Sequence, residues 1–227
     1  MGVVTKGIYV QGCARSGNTL TRELCSVSFQ NAALVKLDQN NAECTLEHLV
    51  SLFQQSSNTI HVASRNYENS LCMDKDLLQA NPHVKVLWML RDPRDVLISI
   101  HSLKPGEYYV SPERWIKSLH LYQQFKNDAQ VLTIRYEDIV QNPKDTQNKI
   151  AKFCNLAVSL QFEEAHNFFP KFHQNVTAMH SIRPIDTNSV RKWQKNPVFR
   201  DYLQQIFTSN PEIPELARTC GYDISLG

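Results

Sequence analysis

The chain has 227 residues, 20% of them charged, and a formal net charge of +2. That length suits one domain with one sizeable core, and so balanced a charge argues against a nucleic-acid binder or a polybasic membrane surface. No run approaches the ~18 apolar residues of a membrane span, and the sequence enters an apolar strand soon after Met1, which leaves no room for a signal peptide. Gly2 invites a myristoylation reading, but Lys6 stands where that motif needs Ser or Thr. The six cysteines, at 13, 25, 44, 72, 154 and 220, form no Cys-x-x-Cys pair. They read as reduced thiols in a cytoplasmic protein rather than as zinc ligands.

Apolar β-type runs alternate with helical patterns, which predicts a three-layer α/β/α fold with a central parallel sheet, in a single domain over 1–227. The first predicted strand, 7–11, runs into Gly12-Cys13-Ala14-Arg15-Ser16-Gly17-Asn18-Thr19 and then into a helix over 19–29. This is nearly a phosphate-binding P-loop. Gly12, Gly17 and Thr19 hold their places, but Asn18 replaces the lysine, and a cation sits three residues earlier at Arg15. Strand, glycine-bearing turn and helix N-terminus aim free N–H groups and the positive end of the helix dipole at bound oxygens. The loop is therefore expected to grip a phosphate-like group, but not the γ-phosphate of a nucleoside triphosphate. Cys13 reads as a spacer.

A weaker strand follows at 34–37, then a helix over 45–55 and a second weak strand at 59–63. The loop Ser64-Arg65-Asn66-Tyr67-Glu68-Asn69 leads to a helix over 71–80. Val84–Leu90 is nearly all apolar, as a central strand buried on both faces should be. It ends in Arg91-Asp92-Pro93-Arg94-Asp95-Val96-Leu97-Ile98-Ser99, with a helix predicted over 93–103. Ligands of open α/β sheets bind beyond the carboxyl ends of the strands, which puts Arg91 at the binding edge. An arginine ending a buried strand needs an anionic partner. The plainer alternative pairs Arg91, Asp92 and Arg94 on the surface.

Ser111 and Pro112 open a helix over 112–127 with a cap and a first-turn proline. The strand Val131–Arg135 ends in Tyr136-Glu137-Asp138, and a helix is predicted over 143–155. The stretch 157–190 is irregular and holds Phe168-Phe169-Pro170 and the histidines 166, 173 and 180, which is the pattern of a functional lid. Ser189-Val190-Arg191-Lys192-Trp193-Gln194-Lys195-Asn196 sets cations beside a tryptophan, suited to closing over a phosphorylated nucleotide or, more plainly, to a solvated basic turn. A last helix is predicted over 197–208.

In this order and spacing the chain resembles the sulfotransferases that use 3′-phosphoadenosine 5′-phosphosulfate (PAPS), from Gly7 to about Tyr222. The resemblance implies that Arg15, Ser16, Gly17, Asn18, Thr19 and Leu20 form the 5′-phosphosulfate loop. It implies that Arg91 and Ser99, eight residues apart as in the family, hold the 3′-phosphate. Tyr136 would lie near the adenine, and Arg191, Lys192 and Trp193 would reach the donor from the late motif. The implied reaction moves a sulfuryl group from PAPS to a hydroxyl or amine of a small-molecule acceptor and leaves adenosine 3′,5′-bisphosphate (PAP), with no metal required. Arg15 would offset charge on the leaving phosphate.

In the family a His or Glu after the 59–63 strand removes the acceptor's proton, with a lysine nearby. Here Arg65 takes the lysine's place. Glu68 is the first candidate base, His61 the second and Asp38 the third. The family's Lys-Thr-His triplet is absent, Asn18 replaces a threonine, and the chain is shorter than most members, so acceptor loops are expected to be trimmed. The lid and residues 103–109 are expected to shape the acceptor pocket. The expected state is a monomer or homodimer, with no nucleic-acid or membrane partner. Two alternatives stay open: a P-loop kinase of a small molecule, which needs a lysine after Gly17, and a nucleotide-binding module without catalysis.

Overall fold

Alternation along the central strands decides which side of the sheet each core residue enters. The computed structural model describes residues 4–35, 46–53, 58–64, 73–101, 104–168 and 184–226. Its main sheet contains β1 (Gly7–Gly12), β2 (Ala32–Leu34), β3 (Ile60–Ser64), β4 (Val84–Leu90) and β7 (Val131–Arg135), in the order β2-β3-β1-β4-β7 with every neighbouring pair parallel. Ile8, Val10, Leu87 and Met89 enter one apolar cluster, while Tyr9, Val86, Trp88 and Leu90 enter the other. The first cluster is closed by α1 (Asn18–Ser28), α6 (Tyr136–Gln141) and α7 (Pro143–Cys154) through Leu24, Ile139 and Ile150. The second is closed by α2 (Leu46–Phe53), α3 (Lys75–Ala80), α5 (Pro112–Phe125), α8 (Pro197–Ser209) and α9 (Glu212–Thr219), through residues that include Leu78, Trp115, Leu203 and Ile213. This is the expected three-layer α/β/α arrangement.

Chain direction places the site. The sheet grows from β1 toward β3 on one side and toward β4 on the other, so the turns that leave β1 and β4 diverge and open a crevice between them. Gly12 is in register with Met89, so the loop after β1 and Arg91 after β4 emerge at the same sheet edge.

Several elements differ from expectation. The helix expected over 93–103 is α4 (Pro93–Leu97) alone. A two-stranded antiparallel hairpin follows, β5 (Ile100–His101) and β6 (Lys104–Tyr108). The branched and hydroxyl residues Ile98, Ser99 and Ile100 favour leaving the helix, and the Ser99 carbonyl is taken by the Tyr109 N–H at 2.7 Å. Ser99 therefore sits past the helix end rather than inside the helix expected over 93–103. The strand expected at 34–37 is observed as Ala32–Leu34, and 36–37 lie outside the described residues. Within 157–190 a 3₁₀ turn forms at Phe162–Asn167, and 169–183 lie outside the described residues. Helices α6 and α9 were not anticipated.

Candidate active site

The loop between β1 and α1 is shaped by its own polar atoms. The Ser16 N–H donates to the Cys13 carbonyl at 3.2 Å, and the Asn18 Nδ2 donates to the carbonyls of Gly12 and Cys13 at 3.1 and 3.2 Å. Asn18 thus ties the loop's carbonyls back, which leaves the α1 end facing outward. Gly17 caps α1 at φ +97° with no side-chain cap on the first-turn N–H groups. A side chain is excluded there, because a Cβ on Gly17 would meet Tyr136 Cδ2 at 2.8 Å. Arg15 also takes a left-handed backbone, at φ +66°. Burial pushes the Cys13 thiol up to about 12, so it is a neutral spacer at physiological pH.

Arg15 is half-buried. Its guanidinium lies 4.2 Å over the Tyr109 ring and donates from Nη2 to the Ile100 carbonyl at 3.3 Å, which ties the loop to the β5–β6 hairpin. Burial, and next to it the Arg91 charge, push its pKa below the ordinary arginine value, against the opposing influence of Tyr109. Arg91 donates from Nη1 to the Arg15 carbonyl at 2.8 Å and from Nη2 to the Ser189 carbonyl at 2.6 Å, and lies 4.3 Å over the Tyr136 ring. The two guanidinium groups are near enough for the Arg91 charge to act on Arg15. The Nε atoms of both are buried, with no hydrogen-bond partner among the described residues. Two orphaned cationic donors on one side of a sheet edge are a fit for an anionic ligand with well-placed oxygens.

The carboxylates of the Arg91–Ser99 stretch are occupied elsewhere. Asp92 accepts from Arg94 Nη2 at 2.7 Å and from the Arg94 backbone N–H at 2.9 Å, capping α4. Arg94 also donates to the Ser225 carbonyl at 2.6 Å and lies 4.2 Å over Trp193. Asp95 is only 3% exposed and accepts the backbone N–H groups of Arg191 at 2.8 Å and Trp193 at 3.1 Å. Among the described residues, no ion pair reaches Arg15, Arg91, Arg191 or Lys192. The pairing considered above is thus confined to Asp92 and Arg94, where it is buried, and Arg91 forms no ion pair among the described residues although its charge acts on Asp95.

The remaining expected residues spread around this centre. Tyr136 opens α6 and touches both Gly17 and Arg91. Glu137 accepts from the Asp92 N–H at 3.0 Å and the Tyr222 hydroxyl at 3.1 Å, so it braces the turn that carries Arg91. Ser99 is partly exposed beside the hairpin, and Thr19 and Leu20 lie in the first turn of α1. Arg191 (φ +54°) and Lys192 are exposed, whereas Trp193 is 3% exposed in the core beneath Arg94. Arg65, Glu68 and Asp38 lie outside the described residues. His61 pairs with Gly7 at the far end of β1, five residues upstream of Gly12. That is about 16 Å of strand, so the register sets His61 apart from the loop after β1.

Sequence reasoning gave no role to Asp95 or Glu137, although both stand inside runs it singled out, whereas Tyr109 belongs to the 103–109 stretch expected at the acceptor pocket.

Residues 6–204 match the sulfotransferase domain family. The chain belongs to that family. This favours sulfotransferases over the small-molecule kinases that share the opening strand, loop and helix. No curated protein matches the chain significantly in sequence. Among solved structures, this sulfotransferase-family chain is similar to the sulfotransferase domain of the Synechococcus PCC 7002 olefin synthase, at TM-score 0.62 and 16% identity, covering 99% of this chain and 97% of that one. It is similar to mouse sulfotransferase SULT7A1 complexed with PAP, at TM-score 0.56 and 15% identity, covering 97% and 90%. It is also similar to retinol dehydratase in complex with androsterone and inactive cofactor PAP, at TM-score 0.53 and 17% identity, covering 96% and 82%. Among the described residues, no helix is long and apolar enough to cross a membrane.

Proposed function

We propose that residues 1–227 form one catalytic domain that binds PAPS across the crevice between β1 and β4 and transfers its sulfuryl group to a small molecule. The carrying observation is that Arg91 is bonded to the Arg15 carbonyl while the buried Nε atoms of both guanidinium groups have no hydrogen-bond partner, and neither group has a carboxylate partner, among the described residues. The loop amides from Ser16 to Leu20 and Arg15 receive the 5′-phosphosulfate, and Arg91 and Ser99 the 3′-phosphate. Arg191 and Lys192 add charge from the late segment. Tyr136 packs between Gly17 and Arg91, and Trp193 supports the late segment from the core. PAP complexes of SULT7A1 and retinol dehydratase support this donor class.

The acceptor's hydroxyl or amine attacks sulfur, the bond from sulfur to the bridging phosphate oxygen breaks, and the electron pair leaves on PAP. Arg15 and the α1 N-terminus offset the charge gathering on that phosphate. A preorganised donor of this kind is typically worth about 3 kcal/mol. Glu68 is the proposed base that takes the acceptor's proton, with Arg65 beside the transferring group. The acceptor meets the β5–β6 hairpin, where the Tyr109 ring lies against the Arg15 guanidinium and is tilted against His101 at 4.8 Å. Buried free thiols at 13, 25, 154 and 220 support a reducing, cytoplasmic setting.

The test is thermal stability with PAP, AMP, ATP and ATP–Mg²⁺, followed by turnover with radiolabelled PAPS and an acceptor library. Ligand at 100 times its dissociation constant raises stability by ~2.7 kcal/mol. A shift with PAP and turnover of PAPS supports the reading. A shift only with ATP–Mg²⁺ overturns it, and PAP binding without any turnover leaves a nucleotide-binding module.

A further inference from the structure

The late basic segment is held by a side chain that belongs to neither the loop nor the cation set. Asp95 lies inside α4, and its two carboxylate oxygens take one backbone N–H each, from Arg191 and from Trp193. These residues are 96 and 98 positions away in the chain. A second tie lies just upstream, where Arg91 donates to the Ser189 carbonyl at 2.6 Å. Between the ties Arg191 adopts the left-handed conformation at φ +54°, which a non-glycine residue takes only when something pays its strain. Two charge-assisted bonds to one buried carboxylate are enough to hold it. The exposed Arg191 and Lys192 side chains therefore start from a backbone tied both to α4 and to Arg91, which precedes that helix.

We propose that Asp95 is a positioning residue that gives the cleft its preference for a 3′-phosphorylated nucleotide, by clamping the backbone that carries Arg191 and Lys192 beside Arg91. The inference rests on the donor-site reading above. It adds that selectivity depends on a carboxylate that touches no ligand. An anion next to a phosphate site is otherwise counterproductive, since it repels the ligand. Here both oxygens are spent on N–H groups, and the carboxylate is shielded by burial.

The experiment compares dissociation constants for PAP and AMP in the wild type, Asp95→Asn, Arg191→Ala/Lys192→Ala, and the triple variant. AMP lacks the 3′-phosphate. Asparagine keeps the shape but can accept from only one of the two N–H groups. Asp95→Asn is expected to weaken PAP about tenfold or more, and AMP less than threefold. In the Arg191→Ala/Lys192→Ala background the same change should add less than threefold, because the cations it positions are gone. Equal losses for PAP and AMP, or a full tenfold loss in that background, overturn the inference. A wild type that does not distinguish PAP from AMP instead overturns the donor-site reading. Hydrogen exchange of the unliganded wild type covers the case of an unfolded variant. The amides of Arg191 and Trp193 should be strongly protected, and exchange at free-chain rates there also overturns the clamp.

Discussion

Arg91 Nη1 donates to the backbone carbonyl of Arg15 at 2.8 Å, which ties together two cation-bearing turns 76 residues apart. The same guanidinium reaches the Ser189 carbonyl. A single side chain thus braces the loop and the late segment, while its buried Nε has no hydrogen-bond partner among the described residues. Replacing Arg91 with alanine removes both functions. PAP affinity is expected to fall by about 100-fold, and the ligand-free melting temperature by several degrees. Arg91→Lys should recover little, because an ammonium cannot span two carbonyls as the planar fork does. Calorimetric titration with PAP checks this, and a lysine variant within threefold of wild type would refute the bracing role.

Gly17 is held between backbone and ring. Its φ of +97° suits glycine, and a Cβ would press on Tyr136 Cδ2 at 2.8 Å. Gly17→Ala is expected to cost ~1–3 kcal/mol and to weaken nucleotide binding by displacing the ring from Arg91. The steric share should disappear when Tyr136 is trimmed to leucine, while the backbone share remains. Denaturant melts of both singles and the double measure it. Equal losses in the two backgrounds would mean the ring contact plays no part.

The parts of this fold that were legible in sequence are those set by local chemistry. Val84–Leu90 declares a buried strand by composition, and Gly12 to Thr19 declares a strand-to-helix anion turn by spacing. Pro93, Pro112, Pro143 and Pro197 mark helix starts, and the structure begins a helix at each. What escaped is non-local. Lys104–Tyr108 contains Pro105 and Gly106, which read as loop, and it becomes a strand only by pairing with Ile100–His101. Asp95 looks like an ordinary first-turn acid of α4. Its role appears only when residues nearly a hundred positions later fold onto it. His61 is the converse case: residue type makes it a candidate base, and only strand register shows that it lies level with Gly7, away from the loop after β1.

That register yields a clean kinetic contrast. His61 sits level with Gly7, where burial lowers its pKa from the ordinary imidazole value, whereas Ser64, which leads into the loop of Glu68, sits level with Val10 near the loop edge. Glu68→Gln is expected to lower kcat with PAPS by about 10²- to 10⁴-fold and to remove the acidic limb of the rate profile. His61→Asn should leave kcat within threefold. Steady-state turnover against pH decides it, and the reverse pattern would move the base to the imidazole.

Asp95 sets stability and nucleotide binding against each other in pH. Burial, opposed first by the Arg91 charge and then by the Trp193 N–H, raises its carboxyl from 3.8 to about 6; Asp92 adds to the rise and the Arg191 N–H opposes it. Between those values the folded chain holds more of this proton than the unfolded chain does. Stability from this group is therefore full below pH 3.8, falls as pH rises through the window, and is level above about 6, a span of up to about 3 kcal/mol. The two N–H bonds run the other way, because only the ionised form offers both oxygens as acceptors. The protein should thus lose selectivity for PAP over AMP below pH 6 while this group's contribution to stability increases. Asp95→Asn should flatten both trends. The measurement is a set of denaturant melts and PAP-to-AMP affinity ratios from pH 4.5 to 8, each as the difference between wild type and variant so that every other titration cancels. A difference that stays constant across that range would show that Asp95 does not titrate there.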